Sequence, residues 1–178
     1  RADPAAPPRA AELDSSEGEL KENPRGTSEY SYTQVEGYSN PRPRRLPVLV
    51  QVRVQSLRLD TANNNPVVIL QESDGERVLP IWIGPGEASA IAMELAEIKF
   101  PRPLTHDLLT SVLGGLGGAL QKVIISRVEE NTYFAEMIIR RNGEVISIDA
   151  RPSDSIAVAL RTEAEIFAQE ELLEVMSI

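Results

Sequence analysis

The only histidine in the chain, His106, stands next to Asp107 and follows Arg102 in a stretch that two prolines stiffen. A neutral imidazole beside a carboxylate can bind a divalent cation or act as a general acid or base. The alternative is that Thr105, His106 and Asp107 serve only to begin a helix. This stretch is therefore one candidate for a chemically active site.

A second group of polar side chains occurs within six residues, as Asp149, Arg151, Ser153 and Asp154. The surrounding pattern places them where a strand ends and a helix begins. Backbone N–H groups and the helix dipole attract anions at such a junction. The alternative is an Asp–Arg ion pair that holds a turn in place.

The second group lies in a sequence that occurs twice. Each copy is predicted to form a strand, an X-Pro-small-acid turn and an Ala-rich helix, and the acids Glu87 and Asp154 take matching places in the first turn of the two helices. An acid at a helix start is favoured by the dipole alone, by about 0.3–1 kcal/mol. The repeat thus indicates either a pseudo-symmetric acidic site or simply two stable helix starts.

Hydrophobic periodicity predicts an α+β fold made of two β-β-β-α units, with a mostly antiparallel or mixed sheet packed by helices and one extra linking helix. Turn signals at Asp74-Gly75 and Asn142-Gly143 suit hairpins, and Pro80 predicts an edge strand or a bulge. Thr105 and Ser153 are predicted helix caps. The predicted strands cover 48–59, 67–71, 78–83, 122–128, 133–140, 144–149 and 166–168, and the predicted helices cover 86–98, 106–113, 154–163 and, as a short turn, 170–175.

The glycines between Gly114 and Gly118 do not form a phosphate-binding loop, since no Lys-Ser or Lys-Thr follows them and Leu120 stands where a third glycine would be needed. We interpret them as a loosened helix end.

Composition separates residues 1–47 from residues 48–178. The first part is rich in Pro, Glu and Ser and is predicted to be disordered, because it has too little apolar surface to offset its ordering entropy. The net charge of −9 argues against a broad basic surface, and the absence of cysteine excludes thiolate chemistry. Neither a secretory signal nor an apolar run of about 20 residues is visible, so we expect a cytoplasmic protein. The chain begins at Arg1 rather than Met, and whether residues precede it stays open.

Three motifs, 79–84, 100–109 and 149–157, together resemble the bifunctional nuclease family. The similarity covers about 50–175. It implies a compact α+β domain that self-associates and, as in plant members, nuclease activity on DNA and RNA. The recurring polar positions of the family correspond to Glu87, Arg102, His106, Asp107, Asp149, Arg151 and Asp154.

These residues suggest a metal-dependent nuclease, because carboxylates that hold Mg²⁺ or Mn²⁺ can activate water and neutralise phosphate charge. We predict that the site residues line one polar cleft, within a subunit or across a subunit contact. The alternative is a non-catalytic module, either an oligomeric regulatory protein or a small-anion binder. The predicted catalytic groups are His106, Asp107, Asp149 and Asp154, the substrate contacts are Arg102, Arg151 and Ser153, and the metal ligands are Glu87, His106, Asp107 and Asp154.

Overall fold

Seven strands form one mixed sheet within residues 48–178, the part of the chain that the computed structural model describes. The disorder predicted for 1–47 concerns residues outside this part. The order across the sheet is β3-β2-β1-β7-β4-β5-β6. The strands are β1 (Leu49–Asp60), β2 (Asn65–Glu72), β3 (Val78–Trp82), β4 (Gly118–Glu129), β5 (Thr132–Arg141), β6 (Glu144–Ala150) and β7 (Glu165–Gln169).

Four helices accompany the sheet, namely α1 (Pro85–Leu95), α2 (Thr105–Gly115), α3 (Pro152–Thr162) and α4 (Glu170–Met176). The predicted α+β class and the linking helix, α2, are confirmed. Both α1 and α2 pack against α3, which in turn lies on β4, β5 and β7. The longest of these helices has 11 residues, and no helix within 48–178 has the length and apolarity needed to cross a membrane.

The two halves of the sheet have the same internal order. β1-β2-β3 and β4-β5-β6 are antiparallel meanders whose first strand is innermost and whose last strand is followed by α1 or α3. β7 lies between them, antiparallel to β1 and parallel to β4, so the two meanders run in opposite senses. This arrangement agrees with the predicted duplication and brings the helix that follows each meander to a shared contact.

Alternation along the strands creates the core. In β1 the buried Val52 is flanked by the exposed Gln51 and Arg53, as a strand with one covered face requires. The covered face joins Val123 and Met137 of the sheet to Ile91 of α1 and Ile156 of α3 in a single apolar cluster. Within each strand, the residues next to these core residues point to the opposite face of the sheet.

Local turn chemistry agrees with the sequence only in part. Asn142 and Gly143 form the expected two-residue turn, with φ values of +51° and +84°, and Pro80 lies in the edge strand β3. Asp74-Gly75 is not a tight turn, since residues 73–77 connect β2 to β3.

The two predicted helix caps are wrong. Thr105 and Ser153 lie inside the first turns of α2 and α3, and neither makes a side-chain cap hydrogen bond. Instead Asp107 Oδ2 accepts a hydrogen bond from the Leu104 N–H at 2.9 Å. The carboxylate of the third helical residue thus replaces the hydroxyl as the capping group.

The glycine-rich stretch ends α2 at Gly115 and begins β4 at Gly118. A Cβ at Gly118 would lie 2.7 Å from Leu113 Cδ1, so any larger residue at this position would require the Leu113 side chain to move. The interpretation as a helix end is confirmed, and β4 begins earlier than predicted because its first residues are glycine and alanine.

Candidate active site

The first turns of α1, α2 and α3 meet at one cleft of about 640 Å³. α1 contributes Glu87, α2 contributes His106, and α3 contributes Asp154 together with Arg151 at its N-cap. Proline at the start of α1 and of α3 presets the backbone for the first helical turn. The duplicated X-Pro-small-acid motif therefore places two equivalent helix starts beside the linking helix.

His106 and Asp154 form the central pair of the cleft. Nε2 of His106 lies 3.0 Å from Oδ1 of Asp154, and the imidazole is only 14% exposed. Burial acts to raise the pKa of Asp154, but hydrogen bonds from Arg151 and His106, together with their charges, outweigh it, so the pKa lies below its ordinary value. Asp154 is therefore ionised at neutral pH and can only accept hydrogen bonds.

This ionised partner determines which ring nitrogen of His106 carries the proton whenever the imidazole has only one. Because Oδ1 of Asp154 accepts, Nε2 of His106 carries the proton, and Nδ1 is left with its lone pair. Within residues 48–178, Nδ1 makes no hydrogen bond, and no fully buried side-chain nitrogen or oxygen there lacks a partner. Nδ1 is consequently not completely buried, and no group of the described residues occupies it.

Arg151 joins the two copies of the repeat. Its Nε donates to Oδ2 of Asp154 at 2.7 Å, and its Nη2 donates to Oε1 of Glu87 at 2.9 Å. The hydrogen bond with Asp154, followed by the charges of Asp154 and Glu87, raises the pKa of Arg151. The side chain is 67% exposed, so its remaining N–H groups can contact an anion in the cleft.

Asp107 is directed away from this cleft. Its Oδ1 accepts from Arg161 Nε at 2.6 Å, and this bond, followed by the one from the Leu104 N–H, lowers the pKa of Asp107. It lines a second, smaller pocket of about 230 Å³ with Lys99 and other residues. The expectation that Asp107 shares one cleft with His106 is wrong, because successive helical residues point about 100° apart.

Three further predicted site residues also lie outside the cleft. Asp149 pairs with Glu136 across β5 and β6, out of phase with the core, so it lies on the opposite sheet face. Ser153 is buried at 6% exposure and does not line the cleft. Arg102 is exposed and forms neither a hydrogen bond nor an ion pair within residues 48–178.

Three of the four predicted metal ligands, Glu87, His106 and Asp154, line the cleft, whereas Asp107 does not. Within the described part of the chain no group of three or more His, Asp or Glu side chains could hold a metal ion. Both oxygens of Asp154 are engaged by His106 and Arg151, Glu87 is engaged by Arg151, and Asp107 faces Arg161. As folded, this donor set does not fit a divalent cation.

Arg161 is a residue of the site region that sequence reasoning missed. It lies on α3 seven residues after Asp154, and its side chain is 6% exposed. The sequence did contain a signal for it: residues two helical turns apart lie on the same face of a helix, and Arg161 lies two turns after the predicted site residue Asp154.

Comparison with known proteins shows the family of this chain. The bifunctional nuclease domain profile matches residues 68–178. The chain belongs to the bifunctional nuclease domain family. An uncharacterised protein of Mycobacterium tuberculosis, MT1877, is 46% identical over 123 residues, which cover 69% of this chain and 73% of that protein.

Plant members of the family are more distant and longer. Bifunctional nuclease 1 of Oryza sativa subsp. indica is 28% identical over 121 residues, covering 66% of this chain and 37% of the rice protein. Bifunctional nuclease 1 of Arabidopsis thaliana is 24% identical over 106 residues, covering 57% of this chain and 33% of the plant protein. The family resemblance drawn from the three sequence motifs is thereby confirmed.

Proposed function

We propose that the protein hydrolyses phosphodiester bonds of DNA and RNA at the cleft formed by His106, Arg151 and Asp154. The observation that carries this proposal is the 3.0 Å contact between His106 Nε2 and an ionised Asp154, which leaves Nδ1 without a hydrogen-bond partner among residues 48–178 and not completely buried. The names of the plant relatives support a nucleic-acid substrate.

His106 has the role of general base. Nδ1 takes a proton from a water molecule as the water oxygen forms its bond to phosphorus, and the positive imidazolium that results is stabilised by Asp154. The P–O bond to the leaving sugar oxygen then breaks, and that oxygen takes a proton from solvent. Asp154 thus orients the imidazole and compensates its charge.

Arg151 and the three helix starts provide the positive potential of the cleft. The free N–H groups of Arg151 can donate to phosphate oxygens while Nε and Nη2 remain bound to Asp154 and Glu87. Helix N-termini add a partial positive charge toward the same space. Both contributions stabilise the negative charge that develops on the phosphate as water attacks.

The divalent cation predicted from the sequence, Mg²⁺ or Mn²⁺, is a separate proposal. No step above uses a metal, because the folded donor set does not fit one. A metal-dependent reaction would require Arg151 to leave Asp154 and Glu87, so that their carboxylate oxygens become free ligands.

A cleavage assay separates hydrolysis from the alternative, a small-anion-binding module, which Arg151 and the helix starts would also allow. Purified protein is incubated with supercoiled plasmid and with end-labelled single-stranded DNA and RNA, in EDTA and with Mg²⁺ or Mn²⁺. His106→Ala purified in parallel controls for contaminating nuclease. Turnover above that control supports the proposal, whereas binding of oligonucleotide without turnover in every buffer contradicts it.

We also propose that the protein self-associates through α2, with a second copy of the same chain as the partner. α2 has no fully buried residue. Four large apolar side chains on this helix or directly after its end are 45% to 63% exposed, namely Leu108, Leu109, Val112 and Leu116. Monomeric surfaces seldom expose contiguous apolar side chains of this size.

Charge favours a second copy as the partner. Residues 108–121 contain no charged side chain, whereas the whole chain carries −9. Two acidic copies repel each other unless their contact excludes charge, and an uncharged apolar surface is complementary to itself across a two-fold axis.

A further inference from the structure

We infer that Arg161 is a positioning residue that places His106 against Asp154; its effect on turnover rests on the function proposed above. Arg161 does not line the cleft, and it bonds to none of the side chains of Glu87, His106, Arg151 and Asp154. It acts through Asp107, the residue next to His106 in the first turn of α2.

Arg161 bonds to all three helices that form the site. Its Nε donates to Asp107 of α2 at 2.6 Å, its Nη2 donates to the carbonyl of Ala90 in α1 at 3.2 Å, and its Nη1 donates to the carbonyl of Ala157 within α3 at 2.8 Å. Glu94 of α1 adds a carboxylate at 3.9 Å. At 6% exposure this guanidinium is held in one geometry by directed bonds rather than screened by water.

α2 needs such a constraint at its first turn. The helix has no fully buried residue, and it follows a connection that contains Pro101 and Pro103. Packing alone therefore restrains the start of α2 weakly. The bond that Arg161 donates to Asp107 and the bond that His106 donates to Asp154 join two successive residues of α2 to two points on α3 that are seven residues apart.

Two attachment points determine the direction of a helix, whereas one allows rotation. With Asp107 held by Arg161, the about 100° step between neighbouring helical residues directs His106 toward Asp154. Without Arg161, His106 keeps its partner only by its own hydrogen bond. A displacement of about 1 Å at a catalytic group can lower turnover by about 100-fold.

Arg161→Met tests this role, with Arg77→Met as the matched control. Arg77 also joins two carboxylates across the fold, at 2.8 Å to Glu72 and 2.9 Å to Glu170, but none of the three lines the cleft. Two properties are measured for each variant, namely the kcat and KM of cleavage and the imidazole resonances of the single histidine in NMR spectra. Circular dichroism checks that both variants are folded.

In Arg161→Met we expect kcat to fall about 10- to 100-fold with KM within about twofold, and the imidazole resonances to shift. Arg77→Met should leave kcat and those resonances unchanged. Should Arg161→Met fail to fold, Asp107→Asn is the second variant, because it weakens the link while Arg161 keeps its bonds to Ala90 and Ala157; it should shift the same resonances.

Unchanged imidazole resonances in folded Arg161→Met or Asp107→Asn would overturn the positioning role. The role and the proposed function can fail separately. Absence of turnover in the wild-type protein, together with imidazole resonances that shift in Arg161→Met and not in Arg77→Met, is one such result. That result would support the positioning role of Arg161 and contradict the nuclease proposal.

Discussion

Asp154 makes two polar contacts within the cleft, because one oxygen bonds to His106 and the other bonds to Arg151. Asp107 likewise forms an ion pair, with Arg161, outside the cleft. Both carboxylates have a pKa below the ordinary value, and in the unfolded chain each returns to about 3.9. This difference links folding stability to pH.

The sign of this linkage follows from proton uptake. Between the folded and unfolded pKa values the unfolded chain binds more protons, so the contribution of each carboxylate to stability is present above about pH 5 and is lost as pH falls through the folded pKa. We expect the free energy of unfolding in urea to fall on acidification from pH 6 to about 3. Asp154→Asn should show a smaller fall than the wild type.

Asp74→Asn is the control for that measurement. Asp74 is exposed in the loop before β3 and makes no hydrogen bond or ion pair within residues 48–178. It should keep the wild-type acid dependence. An identical fall in Asp154→Asn and the wild type would show that the contacts of Asp154 do not contribute to stability.

Sequence reasoning found part of the site at this scale. The repeat predicted that Glu87 and Asp154 stand at equivalent helix starts, and the structure joins both to Arg151. It could not separate His106 from Asp107, because their divergence depends on how α2 is rotated about its axis. It misplaced Asp149, because a strand end next to a motif says nothing about the face on which a side chain lies.

At the scale of elements, α2 is the least buried of the three helices around the cleft. If it forms the contact between copies, introducing charge there should dissociate them. We expect the double variant Leu108→Glu/Val112→Glu to be monomeric by size-exclusion chromatography with light scattering, under conditions where the wild type is larger than a monomer. Both positions are exposed, so the fold should be retained.

Val145→Glu is the matched control for self-association. Val145 is 63% exposed in β6 and lies on the sheet face opposite the core, so the wild-type mass should persist in this variant. A monomeric wild-type protein at every concentration would contradict self-association. If only Val145→Glu dissociates the protein, the contact between copies lies on the exposed sheet face and not on α2.

The strands show what periodicity can and cannot predict. Alternation located all seven strands, including the short strand β7. It did not predict that β7 lies between the two meanders and connects them, because pairing between distant strands depends on tertiary contacts. The duplicated unit was therefore visible in the sequence, whereas the way its two copies join was not.

At the scale of the whole molecule, the net charge of −9 predicts weak, local binding of nucleic acid. Arg151 is the only arginine or lysine that lines the cleft among the described residues. We expect His106→Ala to bind labelled single-stranded DNA with a slope of log K against log salt of about −1, as one or two phosphate contacts require.

Arg151→Ala in the same background should bring this slope close to zero. A slope steeper than about −4 in fluorescence anisotropy would contradict a single local contact and would indicate an extended basic surface.

Phosphodiester hydrolysis by the His106–Asp154 pair is the activity that we propose for this protein. It is tested most directly by the kcat of plasmid and RNA cleavage for Asp154→Asn compared with Asp74→Asn, each of which replaces one carboxylate by its amide. We predict that Asp154→Asn lowers kcat by at least about 100-fold, because the amide neither enforces the Nε2–H tautomer nor stabilises the imidazolium, while Asp74→Asn cleaves like the wild type. Equal kcat values for the two folded variants would contradict the claim.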